Sequence, residues 1–242
     1  MDDNSLSSFV LYCLLGYKKK HPGKPPPLTF YKGTTTLDYL LKRPDLKLKI
    51  NNNNKKTFNS FAFIINAIHS SNTNIGHWIG IVVHILPHCK RIIVRYYDSF
   101  GYDYKIYKTI PKYIHNIEKL CVIHNYICVL DVSKHSLQHR DSKVCGIYVA
   151  YFIISVYARC NTQSIGNIFR NFKNDKIAND LKVLKFLEDY FPGDYCHNLP
   201  IYSNRKASLQ VLLKNIKIPP RLCPKHTFGL KKCFKTIKCK CQ

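Results

Sequence analysis

A polar loop that runs directly into a long apolar segment constrains this chain more than any other stretch. Residues 138–144 are mostly polar, and residues 145–158 are almost all apolar. An uninterrupted apolar run of this length predicts a buried helix, and it is shorter than the ~20 residues that a membrane-spanning helix needs. The N–H groups at a helix start carry partial positive charge, which favours a thiolate. Cys145 is therefore the candidate nucleophile, although a cysteine beside an apolar helix, read alone, is more often a packing residue.

The charge balance predicts an anionic partner. The 242 residues include 38 Lys and Arg against 14 Asp and Glu, a net charge of +24. Such an excess attracts polyanions, and salt weakens the attraction. Nucleic acid is the first partner to expect and an anionic membrane surface the second, with a merely solubilising surface as the alternative.

The cysteines indicate a reducing, intracellular compartment. There are 11, an odd number. Their spacing is irregular and no secretory signal pattern precedes them, which argues against a disulfide scaffold. The C-terminal group could be read as a zinc knuckle, but its spacings match no standard zinc pattern, so no metal site is expected. We interpret it as a basic tail that contacts nucleic acid; its Cys and His residues are Cys223, His226, Cys233, Cys239 and Cys241.

Periodicity and composition divide the chain into three parts. We expect a helical, basic N-terminal extension over 1–56, a core over 57–216 and a basic, cysteine-rich tail over 217–242. The patterns predict strands at 61–68, 77–86, 91–97 and 126–132, and helices at 4–17, 36–48, within 102–119, from Cys145 onwards, at 164–171 and at 177–190.

The strands at 77–86 and 91–97 have the pattern of a hairpin. With a two-residue turn near Pro87 and His88, His77 would lie opposite Asp98, with Cβ atoms ~5 Å apart. A slip of one residue would place the two side chains on opposite faces of the sheet. The expected contact between His77 and Asp98 therefore depends on the register.

Four residues together supply what thiol acyl transfer requires. Cys145 is a nucleophile, His77 a general base and Asp98 an acid that orients the imidazole. The Gln138 amide, with the Cys145 N–H, could stabilise an oxyanion. Each residue has an ordinary alternative: a strand histidine, an aspartate that opens a turn and a surface glutamine.

The spacing of these residues resembles a known family. Gly76-His77-Trp78, then Tyr97-Asp98-Ser99-Phe100-Gly101, then Gln138 seven residues before Cys145-Gly146, are similar to the adenovirus-type cysteine proteases, or adenains, of the Ulp/SUMO-protease-like superfamily. An alanine-containing strand that ends in Asn66 precedes the histidine in the same way. The resemblance covers roughly residues 60–160.

This resemblance implies an α+β, papain-like core: a central mixed sheet flanked by helices, here with basic N- and C-terminal extensions. It implies that Cys145, His77 and Asp98 are catalytic, that Gln138 is the oxyanion donor, and that Trp78, packed against the imidazole, and Gly146 support the site. Adenain has a glutamate at the place of Asp98, and related proteases use aspartate, so the role is retained.

The resemblance also implies a biological setting. Adenains are late virion proteins that cleave virion precursor polypeptides in the host nucleus. The chemistry requires no cofactor, but DNA and a short basic peptide activate them, the peptide through a disulfide to a cysteine near the position of Cys128. Two alternatives remain open: a SUMO- or ubiquitin-like isopeptidase, and a basic DNA-binding structural protein on an inactive protease fold.

Overall fold

A computed structural model describes residues 29–37, 59–67, 77–158 and 164–190, with residues 6, 7, 10, 11, 14, 40 and 41. Its elements, in chain order, are β1 (Thr29–Thr36), β2 (Asn59–Asn66), β3 (Trp78–Leu86), β4 (Arg91–Asp98), α1 (Thr109–Ile123), β5 (Ile127–Val132), α2 (Cys145–Ala158), α3 (Ile165–Ile168) and α4 (Lys176–Tyr190). The predicted strands within the core and the helix that starts at Cys145 are present.

The strands form one five-stranded mixed sheet in the order β1-β2-β3-β4-β5. The central pairs β2–β3 and β3–β4 are antiparallel, and the outer pairs β1–β2 and β4–β5 are parallel. A mixed sheet with helices against it confirms the predicted α+β class.

Alternate residues of the central strands pack against different helices. Ile79 and Ile81 of β3 belong to the cluster that includes Ile114 of α1, whereas Trp78 and Val82 belong to the cluster that includes α2. This alternation is the period of two that a strand imposes. Helix α2 also packs against α4, and its residues from 145 to 157 are all buried. Burial on every side explains why its sequence is apolar all round.

The hairpin turn is longer than the predicted one. Leu86 pairs with Arg91, so the connection comprises the four residues from Pro87 to Lys90. Pro87 starts a 3₁₀ turn, and Lys90 ends it in the left-handed region at φ 46°. The prediction of a two-residue turn was therefore wrong. Asp98 pairs with Ile79, two residues beyond His77, and a shift of two keeps both side chains on one face.

The N-terminal part of the chain contributes to the core. β1, a strand that the sequence patterns did not predict, pairs with β2 at an edge of the sheet. Leu6, Val10 and Leu14 belong to the buried cluster around α2. Residues before position 56 thus contribute a strand to the sheet and side chains to the core. Of the helix predicted at 36–48, Leu37, Leu40 and Leu41 lie in turns, and residues 38, 39 and 42–48 lie outside the described residues.

Other expectations fall partly or wholly outside the described residues, among them the tail at 217–242. Within the described part of the chain, no helix is long and apolar enough to cross a bilayer, and no cluster of three or more His, Cys, Asp or Glu side chains could hold a metal ion. Cys89 is disulfide-bonded, whereas Cys121, Cys128 and Cys145 are free thiols.

Candidate active site

His77 and Asp98 meet at one end of the sheet. His77 immediately precedes β3, and Asp98 is the last residue of β4. His77 Nε2 lies 2.9 Å from Asp98 Oδ2, with His77 17% exposed and Asp98 0% exposed. The two residues form an ion-pair contact through Nε2, and Nδ1 is a buried nitrogen with no hydrogen-bond partner among the described residues.

The Asp98 carboxylate is held by its surroundings. Its Oδ1 accepts a hydrogen bond from the Phe100 N–H at 2.8 Å, and its Oδ2 lies 3.3 Å and 3.4 Å from the hydroxyls of Tyr96 and Tyr107, which donate to it. A buried carboxylate with donors on both oxygens is held in one orientation. Burial raises the pKa values of Tyr96 and Tyr107, and the nearby Asp98 side chain raises them further.

Cys145 is the first residue of α2 and is buried, with 9% of its surface exposed. The first turn is anchored at Val144, whose carbonyl accepts from the N–H groups of Ile147 and Tyr148. The first N–H groups of a helix have no partner within the helix. The Cys145 N–H is therefore available to an anionic oxygen near its own sulfur.

His77 connects the acid with the thiol. Burial of the imidazole opposes its charge, but the nearby Asp98 side chain and, to a lesser degree, the Cys145 side chain outweigh burial and raise the pKa of His77 to about 9. The histidine is therefore protonated at neutral pH. A protonated imidazole beside a cysteine favours the thiolate–imidazolium pair.

Gln138 is fully buried in the loop before α2. Its Oε1 accepts a hydrogen bond from the Ser99 hydroxyl at 2.6 Å, and its Nε2 donates to the Ser142 carbonyl at 2.7 Å. An amide nitrogen carries two hydrogens. One is used by Ser142, and the second remains for another acceptor.

Gly146, the residue after Cys145, lies next to Trp78. A Cβ on Gly146 would lie 3.1 Å from Leu6 Cδ2 and 3.2 Å from Trp78 Cδ1. Among the described residues, the rings that contact His77 are those of Phe100, with centroids 4.9 Å apart, and Tyr102, at 6.0 Å. The imidazole thus packs on Phe100 and Tyr102, and Trp78 packs beside Gly146.

Cys128 is remote from these residues. It is the second residue of β5 and pairs with Ile92, near the hairpin turn. Asp98 lies six residues further along β4, roughly 20 Å away at the rise of a strand. Cys128 is half-buried next to Cys121; burial raises the pKa of its thiol, and a hydrogen bond with Cys121 opposes that rise.

Three residues whose hydrogen bonds hold the segments of the candidate site in place were not identified as such from the sequence. Ser99 contacts the Gln138 amide, and Tyr148 donates to both the Leu137 carbonyl, at 3.1 Å, and Asp180 Oδ1, at 2.9 Å. Asp180 also accepts from the His139 N–H at 3.3 Å. The only signal was that Asp180 and Tyr148 are polar residues within otherwise apolar helix faces, which commonly indicates a buried hydrogen bond.

The chain is similar in structure to several solved proteins. A protease of ASFV is 14% identical, with a TM-score of 0.46 over 73% of this chain and 65% of that chain. A de-sumoylating protease is 14% identical, with a TM-score of 0.46 over 97% and 85% of the two chains. ChlaDub1 from Chlamydia trachomatis is 12% identical, with a TM-score of 0.47 over 83% and 93%.

No family model matches the sequence, and no curated protein matches it. This chain spans 65% and 58% of the ASFV protease chain in two solved structures. At these identities and TM-scores, however, the likeness assigns no activity to this chain.

Proposed function

We propose that this chain is a cysteine-type endopeptidase. The observation that carries the proposal is the position of His77, whose imidazole contacts buried Asp98 at 2.9 Å through Nε2 and is close enough to Cys145 for that side chain to help raise its pKa. A nucleophile, a base and an acid that orients the base, arranged in this order, are the requirements of thiol acyl transfer.

In the acylation step, the Cys145 thiolate attacks the scissile carbonyl carbon and a C–S bond forms. The carbonyl oxygen becomes an oxyanion, which accepts hydrogen bonds from the Cys145 N–H and from the free Nε2 hydrogen of Gln138. The His77 imidazolium donates its proton to the leaving amine, the C–N bond breaks, and a thioester remains.

In the deacylation step, His77 is neutral and takes a proton from an attacking water. The hydroxyl oxygen forms a bond with the thioester carbon, and the same two donors stabilise the second oxyanion. The C–S bond then breaks, and the thiolate leaves beside the restored imidazolium. Asp98 keeps the imidazole oriented throughout and retains its own charge.

The biological role of the proposed enzyme is the maturation of virion precursor polypeptides, late in infection, in the host nucleus and in the virion. The motif spacing around His77, Asp98, Gln138 and Cys145 supports this role, and the net charge of +24 supports DNA as a partner. A short basic activating peptide, bound through Cys128, belongs to the same proposal.

Alkylation by iodoacetamide near neutral pH tests the proposed mechanism. Mass spectrometry would identify which of the 11 cysteines reacts fastest. We expect Cys145 to react first, and His77→Ala to slow its labelling roughly tenfold, because an unpaired thiol is only slightly ionised at neutral pH. His115→Ala is the matched control, since His115 is exposed and contacts Glu118 instead. Equal labelling of Cys145 in both variants would contradict the proposal.

A second measurement separates an endopeptidase from an isopeptidase. Cleavage of candidate precursor polypeptides would be followed with the unmodified protein and with Cys145→Ala, in the presence and absence of DNA. Covalent capture of Cys145 by a ubiquitin- or SUMO-derived probe, without precursor cleavage, would favour the isopeptidase.

A further inference from the structure

The Gln138 side-chain amide is held at both ends. Its Oε1 contacts the Ser99 hydroxyl at 2.6 Å and its Nε2 contacts the Ser142 carbonyl at 2.7 Å, and both Gln138 and Ser99 are 0% exposed. A buried amide with a partner at each end cannot rotate without losing hydrogen bonds.

The chemistry of the partners determines which end of the amide is which. A backbone carbonyl can only accept, so the Gln138 atom that faces Ser142 must be the nitrogen. The atom that faces Ser99 is therefore the oxygen, and the Ser99 hydroxyl must donate to it. A bond donated to Oε1 also polarises the amide and strengthens Nε2 as a donor.

Ser99 belongs to the turn that also holds the acid. Its neighbour Phe100 donates its N–H to Asp98 Oδ1. The Ser99 carbonyl accepts the N–H groups of Leu137 and Gln138 at 2.9 Å and 3.1 Å. This turn also lies close to the loop that precedes Gln138. A Cβ on Gly101, which has φ +71°, would lie 2.8 Å from backbone atoms of residues 135 and 136.

From these contacts we infer that Ser99 is a positioning residue for acyl transfer. Its hydroxyl holds the Gln138 amide in the orientation that the Ser142 carbonyl requires, in which Nε2 is the donor to the oxyanion. This inference rests on the proposed function and adds to it a residue that never contacts the substrate. The 98–100 turn would thus orient both the general base, through Asp98, and the oxyanion donor, through Ser99.

The test compares two reactions of the same thiol. Acylation by p-nitrophenyl acetate passes through an oxyanion, whereas alkylation by iodoacetamide does not. Both rates are measured as the difference from Cys145→Ala. We expect Ser99→Ala to slow acylation roughly fivefold to tenfold, the value of one buried hydrogen bond, and to leave alkylation within about twofold.

Ser60→Ala is the matched control. It removes another buried hydroxyl, which contacts His84 Nδ1 at 2.6 Å. His84 lies seven residues after His77 in the same chain segment, which is roughly 23 Å at the rise of a strand. We expect both reactions of this variant to stay within about twofold of the unmodified protein, the scatter that an indirect change of packing allows.

A double-mutant cycle tests whether Ser99 acts through Gln138. Gln138→Ala alone should slow acylation by on the order of a hundredfold. Adding Ser99→Ala to Gln138→Ala should then slow acylation by less than about a further twofold, because the amide that Ser99 orients is gone. If Ser99→Ala slows acylation as much in the Gln138→Ala background as it does alone, the inference is overturned. It is also overturned if Ser99→Ala leaves the acylation rate unchanged, or if it slows alkylation as much as acylation.

If Ser99→Ala does not fold, Ser99→Thr and Ser99→Val are compared instead. Thr and Val side chains have nearly the same shape, and Thr has a hydroxyl where Val has a methyl group. Slower acylation in Ser99→Val than in Ser99→Thr supports the inference, and equal rates overturn it. Failure of the proposed function looks different: the unmodified protein would show neither a p-nitrophenol burst nor His77-dependent labelling of Cys145, and both proposals would fall.

Discussion

His77 Nε2 lies 2.9 Å from Oδ2 of Asp98, which has no exposed surface. The carboxylate cannot be screened by solvent at this position, so its charge acts strongly on the imidazole. The Tyr96 and Tyr107 hydroxyls and the Phe100 N–H donate to it and fix its orientation. The contact therefore determines both the direction of the His77 ring and its protonation state.

The elevated pKa of His77 predicts how stability depends on pH. A histidine whose pKa rises from 6.5 to about 9 on folding stabilises the folded state fully below pH 6.5, and this contribution is lost as the pH rises through about 9. The shift corresponds to on the order of 3 kcal/mol. Denaturant titrations of the unmodified protein and of His77→Gln, from pH 6 to pH 10, would measure it.

The same shift can be observed directly by NMR. The Cε1–H resonance of His77 should titrate with a midpoint near 9 and should be missing from the spectrum of His77→Gln. A midpoint below 6.5 would contradict the prediction, because burial would then outweigh the two anionic neighbours.

Asp98→Asn should retain the shape of the site and lower the pKa of His77. Without the carboxylate, burial of the ring opposes its charge with less compensation. We expect iodoacetamide to label Cys145 roughly tenfold more slowly near neutral pH. Asp103→Asn is the control, because Asp103 is an exposed acid in the next loop that accepts only from the Lys105 N–H among the contacts described.

Gly146→Ala should destabilise the protein. The new methyl would lie 3.1 Å from Leu6 and 3.2 Å from Trp78, so one of these buried side chains or the start of α2 must move. Overpacking of this kind costs roughly 1–3 kcal/mol. Gly166→Ala is the control, since its nearest neighbour would be Ser164 Oγ at 4.0 Å. Thermal unfolding of both variants would reveal a lower Tm for Gly146→Ala alone.

Tyr148→Phe should loosen the loop that carries Gln138. The change removes the hydrogen bonds that tie α2 to the Leu137 carbonyl and to Asp180, and these acceptors keep their weaker donors, Asn179 Nδ2 and the His139 N–H. We expect a loss of about 1–3 kcal/mol in the free energy of unfolding. Urea titration would measure it, with Tyr126→Phe, a half-buried tyrosine next to β5, as the control. An equal loss in the two variants would contradict the special role of Tyr148.

DNA affinity should depend steeply on salt. If six or more phosphates are neutralised by this chain, whose net charge is +24, the affinity should fall on the order of a thousandfold between 50 mM and 200 mM salt. Fluorescence anisotropy with a labelled duplex would measure the slope. A flat response would remove DNA from the expected partners.

Local pattern was sufficient for much of the fold. The apolar run after Cys145 predicted α2, and the β-rich runs predicted β2, β3, β4 and β5 within about two residues. The predictions of these elements succeeded because the periods of helices and strands depend on neighbours in the sequence. The four candidate residues were proposed from local motifs and their order in the chain, and their catalytic roles stay predictions.

Tertiary structure decided the remaining features. The register that pairs Asp98 with Ile79 follows from a four-residue turn with Lys90 in the left-handed region, which the residue types alone did not indicate. The contact between Ser99 and Gln138 spans 39 positions of the chain, and that between Tyr148 and Asp180 spans 32. The sequence determined which residues could take part in catalysis, and packing across the sheet and helices decided how they are oriented, because hydrogen bonds between distant segments form only when those segments are brought together.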